Sequence, residues 1–538
     1  MKTNKITRFI LSGVLVAALT SCNDFLNVQP DNRTEMNTEN KVVDLLTSAY
    51  ATHQPWMFLE LMSDNCDDHG SNYPADDRYA YELYHWEEPT QTSNDSPLST
   101  WEDQYNSVAA ANYALEFLTD LEETTTTRAA RGEALLCRAY AHFILVNIFC
   151  QHYDPSHPED LGIPYLLKPE TELDPKHERG TVHEVYALID KDLQEGLPLI
   201  NDVIYSVPKY HFNRRAAYAF AARFYLYYQK YDEAIRCATE AISTNPESLL
   251  RDWADLAANY KANNGTTLVT AGTYYTSTAL ACNFLISTDY SNAGLRFGGY
   301  GHGYQYNHGQ YIAQSEGVDY PTTPVVPQRN AYPYAASTSA KPSWRYTTLN
   351  FTSGLDKVLL PRVPYLFEYT DPVAGIGYRH AVYAIFTADE TLLTRAEAYI
   401  MKQDYDAALA DLQLYAKRAC TSTRTMTTAS ITSWAESIEY YEPTAPTPKK
   451  RLNPAFTLDP TQEAFVHVLL SLRRHETLHC GLRWFDVKRF GIEIYRRTLA
   501  NGNLAIRSVD DKLEPRDPRR AVQLPVEVLS AGLEPNPR

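Results

Sequence analysis

Between Tyr218 and Pro246, small and apolar residues recur at three- and four-residue steps: Ala221, Ala222 and Tyr225, then Ala234, Ala238 and Ala241. That spacing puts each set on one face of a helix. The polar run Gln229-Lys230-Tyr231-Asp232 between them reads as a turn. Two short helices folded back on each other need small side chains where their axes approach. The pattern therefore predicts a tetratricopeptide-like helical hairpin of about 34 residues. Ala396, Tyr399 and Ala408 stand 174 positions after Ala222, Tyr225 and Ala234, and Tyr405-Asp406 repeats Tyr231-Asp232. A second hairpin on the same plan is predicted there.

The rest of the chain divides by the same test. Glu39–Ala51 reads as a helix with Val42, Val43, Leu45, Leu46 and Tyr50 on its apolar side. Ser63–Pro97, rich in Asp, Asn, Tyr, Ser and Pro, breaks every period and reads as a long loop of the kind that carries function. Trp101–Leu121 is helical, and Arg128–Cys150 is apolar nearly all round, as a central helix must be. Thr181 with Glu184, and Thr387 with Glu390, are spaced as capping boxes that open helices. Asn263–Tyr383 has no sustained helical period and reads as irregular, with β-prone pieces at Thr266–Thr270 and Tyr346–Phe351. Ser422–Pro448 reads as an exposed insertion, Gln462–Ala500 as helix and Pro515–Arg538 as an extended tail. The expected fold is mainly α. Paired helices form a superhelical scaffold over about 39–262 and 387–500, which supports an irregular, loop-rich subdomain with a few short strands over about 263–386. All of 22–538 is expected to be one domain.

The N-terminus sets the compartment. Lys2, Lys5 and Arg8 precede the apolar run Phe9–Leu19, which is too short to remain as a membrane span. Leu19-Thr20-Ser21-Cys22 then resembles the lipobox of bacterial lipoproteins, which makes 1–21 a signal peptide and Cys22 the lipidated mature N-terminus. No later apolar run is long enough to span a bilayer. The net charge is −17, and without the three leader cations it falls to −20. Such a surface repels phosphates, so nucleic acid is not an expected partner. The seven remaining cysteines are scattered without a CxxC pair, which fits neither a zinc nor a disulfide framework, and Cys137, Cys150 and Cys237, on apparent helices, read as buried thiols. Tyr is unusually common, with 40 copies, and its flat face and polar tip suit carbohydrate.

Several segments together resemble the SusD-like (RagB/SusD) outer-membrane lipoproteins. They are Cys22 with Asn23-Asp24-Phe25-Leu26, Trp101–Asn112, Gly132–Phe143, Gly162–Tyr165 and Ala388–Tyr399. Arg473–Glu476 and Gly481–Arg489 resemble the family's C-terminal signature, with Leu472 and Cys480 where Glu is usual. The resemblance implies four tetratricopeptide-like helix pairs under an irregular ligand face. It also implies a lipid-anchored protein on the cell exterior. Such a protein binds a glycan or other nutrient and passes it to a SusC-like TonB-dependent transporter, without catalysis or cofactor. A lipid-anchored helical-repeat scaffold for proteins or peptides is the alternative, and a hydrolase, either a glycosidase or a zinc protease, is a third reading.

Candidate chemistry follows. A sugar site needs aromatic platforms and planar polar partners. Tyr73, Tyr84 and Trp86 of the first long loop supply the former, with Asp67 and Arg78 as the latter. Tyr304, Tyr306, Tyr311 and Trp344 of the irregular region complete the candidate set. The acidic stretch Asp64–His69 with Asp76 and Asp77 has the oxygens for Ca²⁺ but not the spacing of an EF-hand, and reads by default as a solvated loop. His475, Glu476 and His479 fit the zinc-protease pattern HExxH, but no third ligand is visible and the family signature covers the same residues. Arg483 and Asp486, three apart on a helix, are expected to pair with each other or with Glu476.

Overall fold

The computed structural model describes residues 38–71, 73–171, 176–262, 268–298, 304–316, 332–336, 343–346, 349–351, 356–500 and 505–538. The expected signal peptide and Cys22 lie outside them. The chain begins with α1 (Glu39–Leu46), α2 (Trp56–Met62), a two-residue strand β1 (Asp67–Asp68) and a short helix α3 (Arg78–Tyr84). The stretch expected as one long loop therefore contains a strand and a helix. Next come α4 (Pro97–Phe117), α5 (Thr125–Phe149) and α6 (Val182–Gly196), packed side by side in that order. Helix α5 has the length and apolarity of a membrane span, against the sequence expectation, but its apolar stretch is wholly buried inside the fold. At the start of α6, Thr181 and Glu184 exchange side-chain to backbone hydrogen bonds in both directions.

The first predicted hairpin is α7 (Arg214–Tyr227) with α8 (Tyr231–Ile242). After it come α9 (Trp253–Ala262) and the irregular region: α10 (Leu268–Tyr275), β2 (Asn283–Tyr290), α11 (Ala293–Phe297), β3 (Tyr306–Asn307), α12 (Gln310–Ser315), β4 (Leu349–Phe351), β5 (Lys357–Leu359), β6 (Tyr365–Asp371) and β7 (Ile376–Thr387). Of its β-prone start at 266–270, residues 268–270 open the helix α10, and 266–267 lie outside the described residues. The second hairpin is α13 (Ala388–Met401) with α14 (Tyr405–Ala419).

The two hairpins turn in the same way. Gln229 and Gln403, also 174 apart, both adopt left-handed φ, at 60° and 61°. Lys230 N donates to Tyr225 O at 2.9 Å, and Asp404 N donates to Tyr399 O at 2.9 Å. These are the six-to-one bonds of a Schellman helix end. Helix α8 packs on α13, so the hairpins stack rather than stand apart. Helix α13 is the inner one, and most of its residues are buried. Its cap is half a box: Thr387 accepts from Glu390 N, but the Glu390 carboxylate faces Arg223 (3.2 Å) and Arg473 (3.5 Å).

Helix α15 (Thr428–Glu436) buries Ile431 and Trp434, so the expected exposed insertion is partly anchored. The C-terminal region expected as helix is α16 (Pro460–Thr477), α17 (Leu482–Arg489) and then strand β8 (Ile494–Leu499), paired with β9 (Ile506–Leu513). The tail carries a short helix α18 (Val526–Ser530) and is pinned by Arg179, which donates to Glu534 O and Asn536 Oδ1. Among the described residues, three small sheets organise the strands, in the orders β3-β1-β8-β9, β2-β7-β6 and β4-β5.

Candidate functional site

The first sheet joins the two regions from which sequence drew its aromatic candidates. Asp67 pairs with Asn307 and Asp68 with Tyr306 in antiparallel register, and Asp68 also pairs with Thr498 of β8. The long loop and the irregular region are thus one surface, sewn together by backbone hydrogen bonds.

Under that surface lies a floor of buried ion pairs. Arg483 grips Asp64 with two bonds of 2.8 Å, and Lys450 adds a third at 2.7 Å. Arg497 grips Asp67 at 2.9 and 3.0 Å. Glu316 takes Arg474 at 2.7 Å, Lys450 at 2.9 Å and Arg497 at 3.3 Å. Arg474 also donates to Asn65 Oδ1 and Asp64 O. Burial alone would raise the carboxyl of Glu316, but Lys450, Arg474 and Arg497 outweigh it and bring it down to about 2. Burial likewise opposes ionisation of Asp64, and Arg483, Lys450 and Arg474 hold it well below its ordinary range. The acidic stretch is therefore not simply a solvated loop: Asp64, Asp67 and Asp76 are spent on arginine and lysine, while, among the described residues, Asp68 is half-buried without a cation and Asp77 is exposed. Arg483 and Asp486 do not pair as expected: Asp486 binds Arg473 (3.0 Å) and Arg489 (2.8 Å).

The aromatic candidates sort into three groups. Tyr84, Trp86, Tyr306 and Tyr311 are buried, as is the polar candidate Asp67. Tyr84 and Tyr306 stack at 4.3 Å and 19°. The Arg496 guanidinium lies 4.0 Å from the ring centres of both Tyr84 and Trp86 and donates to the carbonyls of Leu61, Met62, Ser63 and Tyr84. Trp86 Nε1 is bonded to Met62 O, and Arg497 lies 5.4 Å from the Tyr311 ring centre. These side chains support the surface and do not present themselves on it. Trp344 belongs elsewhere, stacked on His475 at 3.8 Å and 11°.

The third group is accessible. Tyr304 and Tyr73 are half-buried, and the exposed Arg78 pairs with Glu82 at 2.8 Å. Tyr304 lies under Arg296, whose guanidinium is 4.1 Å from the ring centre and ion-paired with Asp76. Tyr73 packs on His69 at 5.1 Å. Behind His69 stands Gly309, where an added Cβ would fall 2.4 Å from His69 Cε1, so only glycine fits. Two further residues complete this rim. Tyr81 is 44% exposed, and its ring lies 4.5 Å from that of His85, which in turn meets Tyr306 edge-on at 5.8 Å. Sequence reading missed both. The signal was the i, i+4 spacing of Tyr81 and His85 on a helix whose other face is Tyr79, Ala80, Leu83 and Tyr84. Asp68 adds a polar group, accepting from Gln305 Nε2 at 2.9 Å and Gly70 N at 2.7 Å.

The HExxH match dissolves in the geometry. Helix α16 ends at Thr477, and His479 has φ +69°, so the two imidazoles do not share a helix face. Tyr415 Oη lies 3.0 Å from both His475 Nδ1 and Glu476 Oε2, while His479 stacks on Phe297 at 4.8 Å. Among the described residues, no group of three His, Cys, Asp or Glu is arranged to hold a metal ion.

Comparison with known proteins agrees with this picture. Residues 24–226 match the SusD-like family model described as "Starch-binding associating with outer membrane". Over those residues the chain is similar to SusD-like proteins. It is 25% identical over 283 residues to SusD-like protein P38 of Formosa agariphila, a match that spans 49% of this chain and about half (50%) of that relative. Solved SusD-like folds agree over nearly the whole length. A SusD superfamily protein of Bacteroides thetaiotaomicron superposes with TM-score 0.58 at 16% identity, covering 93% of this chain and 100% of the other. A putative sugar binding protein of Bacteroides vulgatus gives 0.59 at 18%, covering 94% and 99%. At such identities the likeness establishes the fold. The SusD-like match ends at residue 226, so it takes in α3 with Tyr81 and His85 but not Tyr304 or the signature arginines.

Proposed function

We propose that this SusD-like chain captures a glycan on the rim formed by Tyr81, His85, Tyr304 and Tyr73 and delivers it to a SusC-like TonB-dependent transporter in the outer membrane. In this reading acylated Cys22 holds it on the cell exterior. The observation that carries the reading is the exposed Tyr81, beside half-buried His85, standing on a floor that cannot shift without breaking buried ion pairs. Aromatic faces cover the C–H side of a sugar ring, and planar polar groups such as Asp68, Gln305 and Arg78 take its hydroxyl pairs. The family's description and the sugar-binding neighbours support the ligand class. No catalytic role is proposed, since the one enzyme-like motif is consumed in packing.

Calorimetry of the mature chain against maltoheptaose, xylohexaose, cellohexaose and a mannan oligosaccharide tests the reading. Binding to at least one is expected, weakened about tenfold by Tyr81→Ala, the loss of about one good contact. A folded protein that binds none contradicts it. Co-purification with a transporter barrel and mass analysis of Cys22 test delivery and tether separately.

One observation favours protein recognition as a second reading. The β6–β7 hairpin exposes Tyr369 (58%), Val373 (99%), Ile376 (61%) and Tyr378 (52%), and β6 is a sheet edge. Removing 371–376 would abolish a protein contact made there and leave glycan affinity intact.

A further inference from the structure

A cavity of about 220 Å³ opens between the segment after α1, helices α4 and α5, and strand β2. It shares no lining residue with the rim. One side is apolar, made by Ala51, Ala141, Leu285, Ile286 and Ile385. The other is polar and built from Gln54, Gln104, Tyr140 and His211.

The polar side is held rigidly. Gln54 Nε2 donates to Ala51 O at 2.9 Å, and Gln104 Nε2 donates to Gln54 Oε1 at 3.4 Å. This relay fixes the Gln104 amide with its oxygen as the remaining acceptor. The Tyr140 ring is clamped edge-on by Phe212, Phe220 and Phe386, with centres 5.6, 5.2 and 5.7 Å away. The residue is 7% exposed, and its hydroxyl has no protein partner. A buried hydroxyl left unpaired is costly, and native folds provide it with a partner. The His211 ring is stacked on Tyr205 at 4.5 Å and 11°, and its Nδ1 lies 2.8 Å from Glu133 Oε1, which also accepts from Tyr50 Oη at 2.6 Å. Glu133 thus fixes the imidazole and leaves Nε2 as the nitrogen available to a ligand.

We infer that this cavity binds one neutral, polyhydroxylated molecule the size of a single hexose, at a site separate from the rim. The chemistry is that of hydroxyl recognition: an amide oxygen that accepts, an imidazole nitrogen and a phenol, facing an apolar wall that suits a C–H face. No Asp, Glu, Lys or Arg is among the lining residues, so nothing selects a charged ligand. The volume is far more than one water on the Tyr140 hydroxyl needs and is on the scale of a single sugar ring.

Saturation-transfer NMR on the mature chain tests this, with glucose, galactose, mannose and myo-inositol as neutral probes, glucuronate as the anion and maltose as the oversized control. At least one neutral probe is expected to bind, and the anion and maltose more weakly. Gln104→Leu and Tyr140→Phe should each weaken that probe about tenfold, whereas Tyr81→Ala should leave it unchanged. Tyr140→Phe removes only an oxygen and should melt no lower than the parent, so lost binding is not lost folding. Absence of transfer from every neutral probe would overturn the inference, since the cavity would then hold water only. So would a signal indifferent to both cavity variants, or one lost in Tyr81→Ala. Oligosaccharide affinity measured on Gln104→Leu separates this site from the rim: it should be unchanged, whatever the fate of the rim reading.

Discussion

Tyr81 and Tyr84 lie one turn apart on the same seven-residue helix and have opposite surroundings. Tyr84 is fully buried, stacked on Tyr306 and covered by Arg496, whereas Tyr81 is 44% exposed beside His85. The contrast extends to the whole site. Below the helix, Asp64, Asp67, Glu316, Lys450, Arg474, Arg483 and Arg497 are buried charges with no freedom to move. Above it, Tyr73, Tyr81, His85 and Tyr304 have room on one side. The difference separates what holds the surface in place from what the surface can touch. It also gives the C-terminal signature its job: Arg474 and Arg483 pin the first loop to the helical stack from more than 400 positions away in sequence.

The division can be broken most severely from below. Arg483→Ala takes the two-bond partner from buried Asp64 and leaves it to Lys450, and is expected to cost about 3 kcal/mol, the low end of the penalty for breaking a buried pair. Urea unfolding measures it, and a loss under about 1 kcal/mol would mean that the floor does not hold the loop. Next in size is the response to acid. The folded carboxyl of Glu316, at about 2, lies below its ordinary 4.5. Its contribution is present above pH 4.5 and is lost as pH falls through about 2. Glu316→Gln should therefore flatten the fall in stability between pH 5 and pH 2, as read by urea midpoints across that range. Substitution above the helix is predicted to act on binding alone. Tyr81→Ala should lower glycan affinity about tenfold and change stability by no more than about 0.5 kcal/mol. The smallest effect concerns the hairpins. Gln403→Gly removes a side chain from a left-handed position and should stabilise by about 0.5–1 kcal/mol, because the relief of strain exceeds the added chain entropy.

The helical scaffold was legible in sequence because periodicity reports burial directly. Ala222, Tyr225 and Ala234 and their copies predicted two hairpins, and even the turn residues Gln229 and Gln403 fall in step. The joining of the first loop to the irregular region was not legible, since β1 and β3 have two residues each and carry no pattern. The buried charges misled most. Asp64, Asp67 and Asp76 read as solvated, because their cationic partners lie at 296, 450, 474, 483 and 497 and only the fold brings them near. Of the candidate site, the two regions that sequence marks are the two that one sheet joins. Within them, large aromatics were favoured over exposed ones, so Trp86 and Trp344 were named while Tyr81 and His85 were passed over.

The central claim is that the rim binds while the floor only supports. Its most direct measurement is the calorimetric titration of the double variant Tyr81→Ala, Tyr304→Ala, beside the parent chain, with the oligosaccharide from the panel that binds best. The account predicts a binding isotherm reduced at least tenfold with an unfolding midpoint close to that of the parent. Unchanged affinity in a folded double variant would contradict it.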